Sequence, residues 1–140
     1  ASDVYKRQEM NVYKLFVLDV GLLGAMSDLD AMSILEGNDI FVEFKGALTE
    51  QYVLQQIISD TKYTPYYYGT EKATFEQDFM IQMGKDVVPI EVKAETNLKS
   101  QSLKCYCEKY HPQKAIRFSA KKYIDQGWMK NVPLYAVCTL

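Results

Sequence analysis

The chain predicts a mixed α/β fold in which helices flank a central mixed sheet. Three observations predict it. Thr74–Gln82 and Val87–Ala94 alternate apolar and polar residues on either side of Gly84-Lys85, which is the pattern of a β-hairpin. Ile40–Ser59, before the hairpin, carries an apolar stripe at helical spacing. A second helical stretch, reaching about Lys109, follows the hairpin and leads into an apolar strand at Lys114–Ser119. With 140 residues, 48% of them hydrophobic, the chain can fill one core.

Each element has its own signal. Ala1–Gln8 lack an initiator Met and read as a non-native leader, which would make the chain the C-terminal piece of something longer. Residues 9–37 read as an N-terminal extension packing on the core, and residues 38–140 as the main domain. Within the extension, Val12–Asp19 is rich in β-formers and predicts a short strand. Gly21–Met26 and Asp30–Glu36 predict short helical pieces joined by an acidic loop. Gly37-Asn38-Asp39 is a break with an N-cap candidate. Along Ile40–Ser59 the stripe is Ala47, Leu54, Ile57 and Ile58, and Gly46 weakens the helix locally. Tyr66–Tyr68 predicts a short strand after Pro65. Thr96 or Asn97 caps the second helix, Gly127 marks a loop, and Pro133–Val137 predicts a final short strand. There is no internal repeat and no low-complexity segment.

The hairpin carries the chemistry. A two-residue turn sets Met83 against Asp86. Counting back along both strands then sets Ile81 against Val88, Phe79 against Ile90, Asp78 against Glu91 and Gln77 against Val92. One face is apolar, and the other holds Glu76, Asp78, Glu91, Lys93 and Glu95. Opposed Cβ atoms in an antiparallel pair lie roughly 5 Å apart. Two carboxylates that close repel unless a proton or a cation lies between them. A divalent metal with hard oxygen ligands is such a cation. The same face also suits an ordinary solvated sheet surface, with Glu76 and Lys93 as a surface ion pair. Glu50 raises the same choice. It lies on the helix stripe, three residues after Ala47 and four before Leu54. There it is either buried with a partner or a cation, or placed at the stripe edge and in reach of water.

Composition narrows the chemistry further. The single histidine, His111, leaves no His-rich zinc site, and its place just after a helix suits the helix dipole. Three cysteines are too few for a disulfide framework, and Cys105 and Cys107 point different ways on a helix. They read as plain buried or half-buried thiols, and a cytoplasmic, reducing compartment is expected. No apolar run is long enough to span a membrane. Charge is divided unevenly. Residues 1–96 hold 8 Lys/Arg against 16 Asp/Glu, and residues 97–140 hold 8 against 2. A basic C-terminal third beside an acidic cluster suits a protein that holds a phosphate backbone near a metal, and it also suits simple solubilisation of a surface.

The order helix–strand–strand–strand–helix–strand, with acids on the first helix and on the second and third strands, resembles the restriction-endonuclease-like αβββαβ core of the PD-(D/E)XK nuclease superfamily. Asp78 and Glu91-Val92-Lys93 match that superfamily's strand-two acid and its Glu-x-Lys, and Glu50 matches its helix glutamate. Gln77 stands where the superfamily often has Pro before the acid. A wider string of segments covers nearly all of residues 11–140. It comprises Lys14-Leu-Phe-Val-Leu-Asp-Val-Gly-Leu-Leu23, Lys45-Gly-Ala-Leu-Thr-Glu-Gln-Tyr-Val53, Tyr66-Tyr-Tyr, Phe75-Glu-Gln-Asp-Phe79, Val88-Pro-Ile-Glu-Val-Lys-Ala94 and Val132-Pro-Leu-Tyr135. This string resembles the bacterial domain of unknown function found at the C-terminus of AAA-type ATP-binding proteins of the archaeal ATPase-like group.

The resemblance implies a nuclease-like domain attached to an upstream ATPase of the same natural chain, with DNA as a partner and no membrane. No Gly-rich phosphate loop followed by Lys-Ser/Thr occurs here, so this chain is expected to carry no ATP site of its own. The implied function is Mg²⁺- or Mn²⁺-dependent hydrolysis of DNA, and the alternative is a catalytically inactive module that binds DNA or a protein. The implied metal ligands are Asp78, Glu91, the backbone carbonyl of Val92, and Glu50 directly or through water. Lys93 would orient water or stabilise the transition state, and Glu76 would support Lys93. Lys99, Lys104 and Lys121 would hold the nucleic-acid backbone.

Overall fold

A computed structural model describes residues 13–28, 32, 39–69, 76–94 and 99–140. Several sequence expectations lie outside the described residues. They are the leader at 1–8, all but Met32 of the piece at Asp30–Glu36, the Gly37-Asn38 break, Thr74-Phe75, Glu95, and the caps at Thr96 and Asn97. Among the described residues the order is α1 (Val20–Met26), α2 (Asp39–Asp60), β1 (Tyr66–Tyr68), β2 (Gln77–Met83), β3 (Asp86–Lys93), α3 (Gln101–Tyr110), β4 (Ile116–Ser119), β5 (Ile124–Asp125) and β6 (Lys130–Pro133), followed by a 3-10 segment, Leu134–Thr139. The six strands form one sheet in the order β1-β2-β3-β4-β6-β5. β3, β4 and β6 run parallel, and both edges pair antiparallel. The fold is therefore mixed α/β.

The hairpin has the register its turn requires. Gly84 has φ +64° and Lys85 has a negative φ, as a type II′ turn demands, and only glycine takes the first position without strain. The ladder runs from Met83 against Asp86 to Phe79 against Ile90. Phe79, Ile81, Val88, Ile90, Val92, Ile116 and Phe118 share one face, and Val53, Ile57 and Val137 pack on it. Burying each large aliphatic or aromatic side chain contributes roughly 1.5–3 kcal/mol. The opposite face is covered in part by α3, through a small cluster of Leu103, Ala115 and Met129.

Four local expectations are corrected. Val12–Asp19 is not a strand, because residues 13–19 form no ladder. They run as an extended strap along α2, where the Gln51 side chain accepts from Val17 N–H and donates to Val17 C=O, both at 3.0 Å. Gln55 accepts from Val20 N–H at 2.9 Å. Side-chain amides thus take the backbone bonds that a neighbouring strand would have taken. The helix stripe is rotated from the predicted one: Ala47 and Ile58 are exposed, while Val53 and Ile57 are fully buried. α3 starts at Gln101, with Ser100 at the N-cap position. The final strand ends at Pro133 and does not run on to Val137, since Pro133 closes the ladder to β4 and the chain turns into a 3-10 segment. Among the described residues no helix is long and apolar enough to cross a membrane.

Candidate functional site

The site lies where the β2–β3 ladder ends. Asp78 sits one residue beyond the last ladder pair. Its carboxylate reaches across and accepts from the Val92 N–H at 2.8 Å through Oδ2. The clamp fixes the end of β3 and uses one lone-pair direction of Asp78. Glu91 is only 5% exposed. Its Oε1 pairs with Lys93 Nζ at 2.7 Å, on the same strand face two residues along. Its buried Oε2 has no hydrogen-bond partner among the described residues. A carboxylate oxygen in that position is costly to bury and marks a place where a cation or a donor belongs.

Lys14 brings the helix acid to the strand acid. Its Nζ lies 2.8 Å from Glu50 Oε2 and 3.2 Å from Asp78 Oδ1. Burial works to lower the Lys14 pKa, but the hydrogen bond to Glu50 and the charges of Asp78 and Glu50 outweigh it and hold the ammonium above the usual lysine range. Glu50 is pushed above the usual carboxylate range, first by burial and then by the Asp78 charge, against the pull of Lys14 and Lys93. Lys93, beyond contact, adds a small further pull on Glu50. The strap delivers Lys14 here through Gln51 and through Phe16, whose ring lies 5.7 Å from that of Phe79.

A second polar group lies beside Glu91. The register sets Glu91 next to Arg117 on β4, and Arg117 next to Asn131 on β6. Arg117 is 1% exposed. Its Nε donates to Asn131 Oδ1 at 2.9 Å, and its Nη1 donates to Ser100 Oγ at 3.0 Å. Asn131 Oδ1 also accepts from Ser119 Oγ at 2.8 Å, and Asn131 Nδ2 donates to the Lys122 carbonyl at 2.9 Å. Burial lowers the Arg117 pKa, and the Glu91 charge opposes that. Ser100 spends its hydroxyl on Arg117 and makes no capping bond to α3.

The structure thus gathers Glu50, Asp78, Glu91, Val92 and Lys93 at one end of the hairpin, with Val92 contributing its N–H. Glu76 is turned elsewhere. It is exposed and lies near Tyr67, whose hydroxyl pKa it helps burial to raise, while the ion pair of Lys93 is with Glu91. Lys99, Lys104 and Lys121 are exposed, and Lys104 faces Glu108 at 3.8 Å. Among the described residues, no three His, Cys, Asp or Glu side chains are gathered closely enough to hold a metal ion. The reason is visible: the Lys14 ammonium stands between Glu50 and Asp78, and Asp78 is tied to the β3 backbone. The donor set is nonetheless one of hard oxygens, and Glu91 Oε2, without a partner among the described residues, is a buried oxygen that a hard cation would satisfy.

Sequence reasoning missed Lys14, Arg117 and Asn131. Lys14 opens the motif string quoted above, but nothing local marks it as a partner of Glu50. Arg117 did carry a signal, as a charge inside the apolar run Ala115-Ile-Arg-Phe118.

No curated protein matches this chain, and neither does any solved structure. A family model does match, over residues 45–138, and that span includes Glu50, Asp78, Glu91, Lys93, Arg117 and Asn131 but not Lys14. By that match the chain belongs to the family described as Domain of unknown function (DUF4143).

Proposed function

We propose that this DUF4143 domain hydrolyses phosphodiester bonds of DNA with the help of Mg²⁺ or Mn²⁺. The observation that carries the reading is the buried Glu91 Oε2, which has no hydrogen-bond partner among the described residues, beside the Lys93 ammonium on Glu91 Oε1. Glu50, Asp78, Glu91 and the Val92 carbonyl would hold the metal. Such a cation, when bound, neutralises charge on a phosphate oxygen and acidifies a coordinated water. The chain's own residues do the rest. Water adds to phosphorus as one P–O ester bond breaks, and the leaving oxygen takes a proton. Lys93, half-exposed, can turn its ammonium toward a phosphate oxygen where negative charge builds. The Asp78 clamp on Val92 holds the third strand still while this happens. Lys99, Lys104 and Lys121 hold the strand by its phosphates. In the natural protein the module would serve the upstream ATPase that the sequence resemblance implies.

One observation favours a second reading, a module that binds DNA or a protein without cleaving. Three carboxylates (Glu50, Asp78, Glu91) are already faced by three cations, Lys14, Lys93 and Arg117. The cluster is therefore charge-balanced without a metal.

Mn²⁺ titration together with a cleavage assay on single-stranded and duplex DNA separates the two. The first reading expects Mn²⁺ binding that Glu91→Gln removes. It expects Lys93→Ala to bind Mn²⁺ but to cleave slower by roughly 100-fold or more, the scale of losing a transition-state donor. No Mn²⁺ binding and no cleavage by the wild-type chain would leave only the second reading, and undiminished cleavage by Glu91→Gln would take Glu91 out of the metal site.

A further inference from the structure

We propose that Lys14 is the built-in counter-cation of this site and gives way to a divalent metal: its side chain blocks the Glu50–Asp78 pair until a metal displaces it. The inference rests on reading the site as a metal centre. Three features support it.

The first is position. The ammonium contacts Glu50 Oε2 at 2.8 Å and Asp78 Oδ1 at 3.2 Å, so it uses an oxygen from each acid that a metal would need. A divalent cation and an ammonium cannot share those oxygens, because like charges at contact distance repel strongly.

The second is anchoring. The backbone that carries Lys14 is held by groups other than its charge. Gln51 binds both polar atoms of Val17, and Phe16 packs on Phe79. The strap can therefore stay docked while the side chain leaves.

The third is freedom. The Lys14 side chain is 26% exposed, so a path to water exists. Lysine suits the part. Its ammonium is a strongly hydrated point charge on a flexible stem, released more easily than a guanidinium fork that grips two oxygens at once. The Tyr67 ring, with Nζ 5.5 Å from its centroid, flanks the ammonium where it now sits.

Removing the charge then tightens metal binding. In the full chain, Lys14→Met should bind Mn²⁺ about tenfold tighter than wild type, the effect expected for deleting one competing half-buried ion pair. Electron paramagnetic resonance of free Mn²⁺ reads this without any activity. Lys14→Gln is the second variant. It keeps hydrogen bonds to both carboxylates but drops the charge, and it should also bind tighter than wild type. Equal Mn²⁺ affinity in wild type and both variants would overturn the displacement and leave the metal centre standing. Weaker binding in both variants would also overturn it, by making Lys14 a support of the site and not a competitor. No binding by any of the three at millimolar Mn²⁺ would overturn both the displacement and the metal centre.

Discussion

Two polar groups lie side by side on this sheet, and they are built in opposite ways. The Arg117 group is sealed. Arg117, Ser119 and Asn131 are almost without exposure, and Arg117 and Asn131 are held by Ser100, Ser119 and the Lys122 carbonyl. The Glu91 group is half-open. Lys14, Glu50, Asp78 and Lys93 reach solvent, and the deeply buried Glu91 has an oxygen without a partner among the described residues. The difference teaches where function can sit. A network sealed from solvent fixes strand register and leaves a ligand no way in. A cluster balanced by partly exposed ammoniums keeps a way in.

The largest expected effect tests the sealed group. Arg117→Ala should lower unfolding free energy by roughly 3–5 kcal/mol, because it strips a buried network of its central donor. Urea unfolding measures it. A loss under about 1 kcal/mol would break the comparison and move Arg117 into the open cluster.

Glu91→Gln should cost less by the same measurement, about 1–3 kcal/mol, since it keeps the side-chain volume and polar atoms but takes the carboxylate charge away from Lys93 and Arg117. A loss as large as that of Arg117→Ala would make Glu91 a structural residue.

The smallest effect sharpens the comparison through pH. Lys14 is held above its ordinary 10.5. A raised folded-state pKa gives stability that is fully present below the ordinary value and is lost as pH rises through the raised one. The difference in stability between wild type and Lys14→Met should thus stay level from neutral pH to about 10 and close only above that. A difference that closes well below pH 10 would mean that the ammonium is not held by the two acids.

Much of this was legible in the chain. The hairpin register follows from Gly84-Lys85, since a two-residue turn leaves one register and a slip would bury the charged face, but the ladder stops at Phe79 against Ile90, and Asp78 binds the Val92 N–H in place of pairing with Glu91. The α2 helix and its glutamate follow from a periodic pattern, although the stripe was drawn one notch off, through Ala47 and Ile58. Val53 was the missing member. The strap was misread because β-propensity describes what a segment favours and not what its backbone will find as a partner. Gln51 and Gln55, on a helix 34 and 35 residues away, supplied the bonds.

By itself, then, the sequence determined the mixed α/β order, the hairpin register and the placing of Glu91 and Lys93 on one strand face. These depend on contacts between near neighbours in the chain, where alternation and turn length leave few choices. Only the tertiary structure decided that Lys14 would sit between Glu50 and Asp78, across 36 and 64 residues of chain. It also decided that Arg117 would be sealed behind Glu91. Such long contacts are set by how the strap docks on the helix and how three parallel strands align, and no local pattern encodes either.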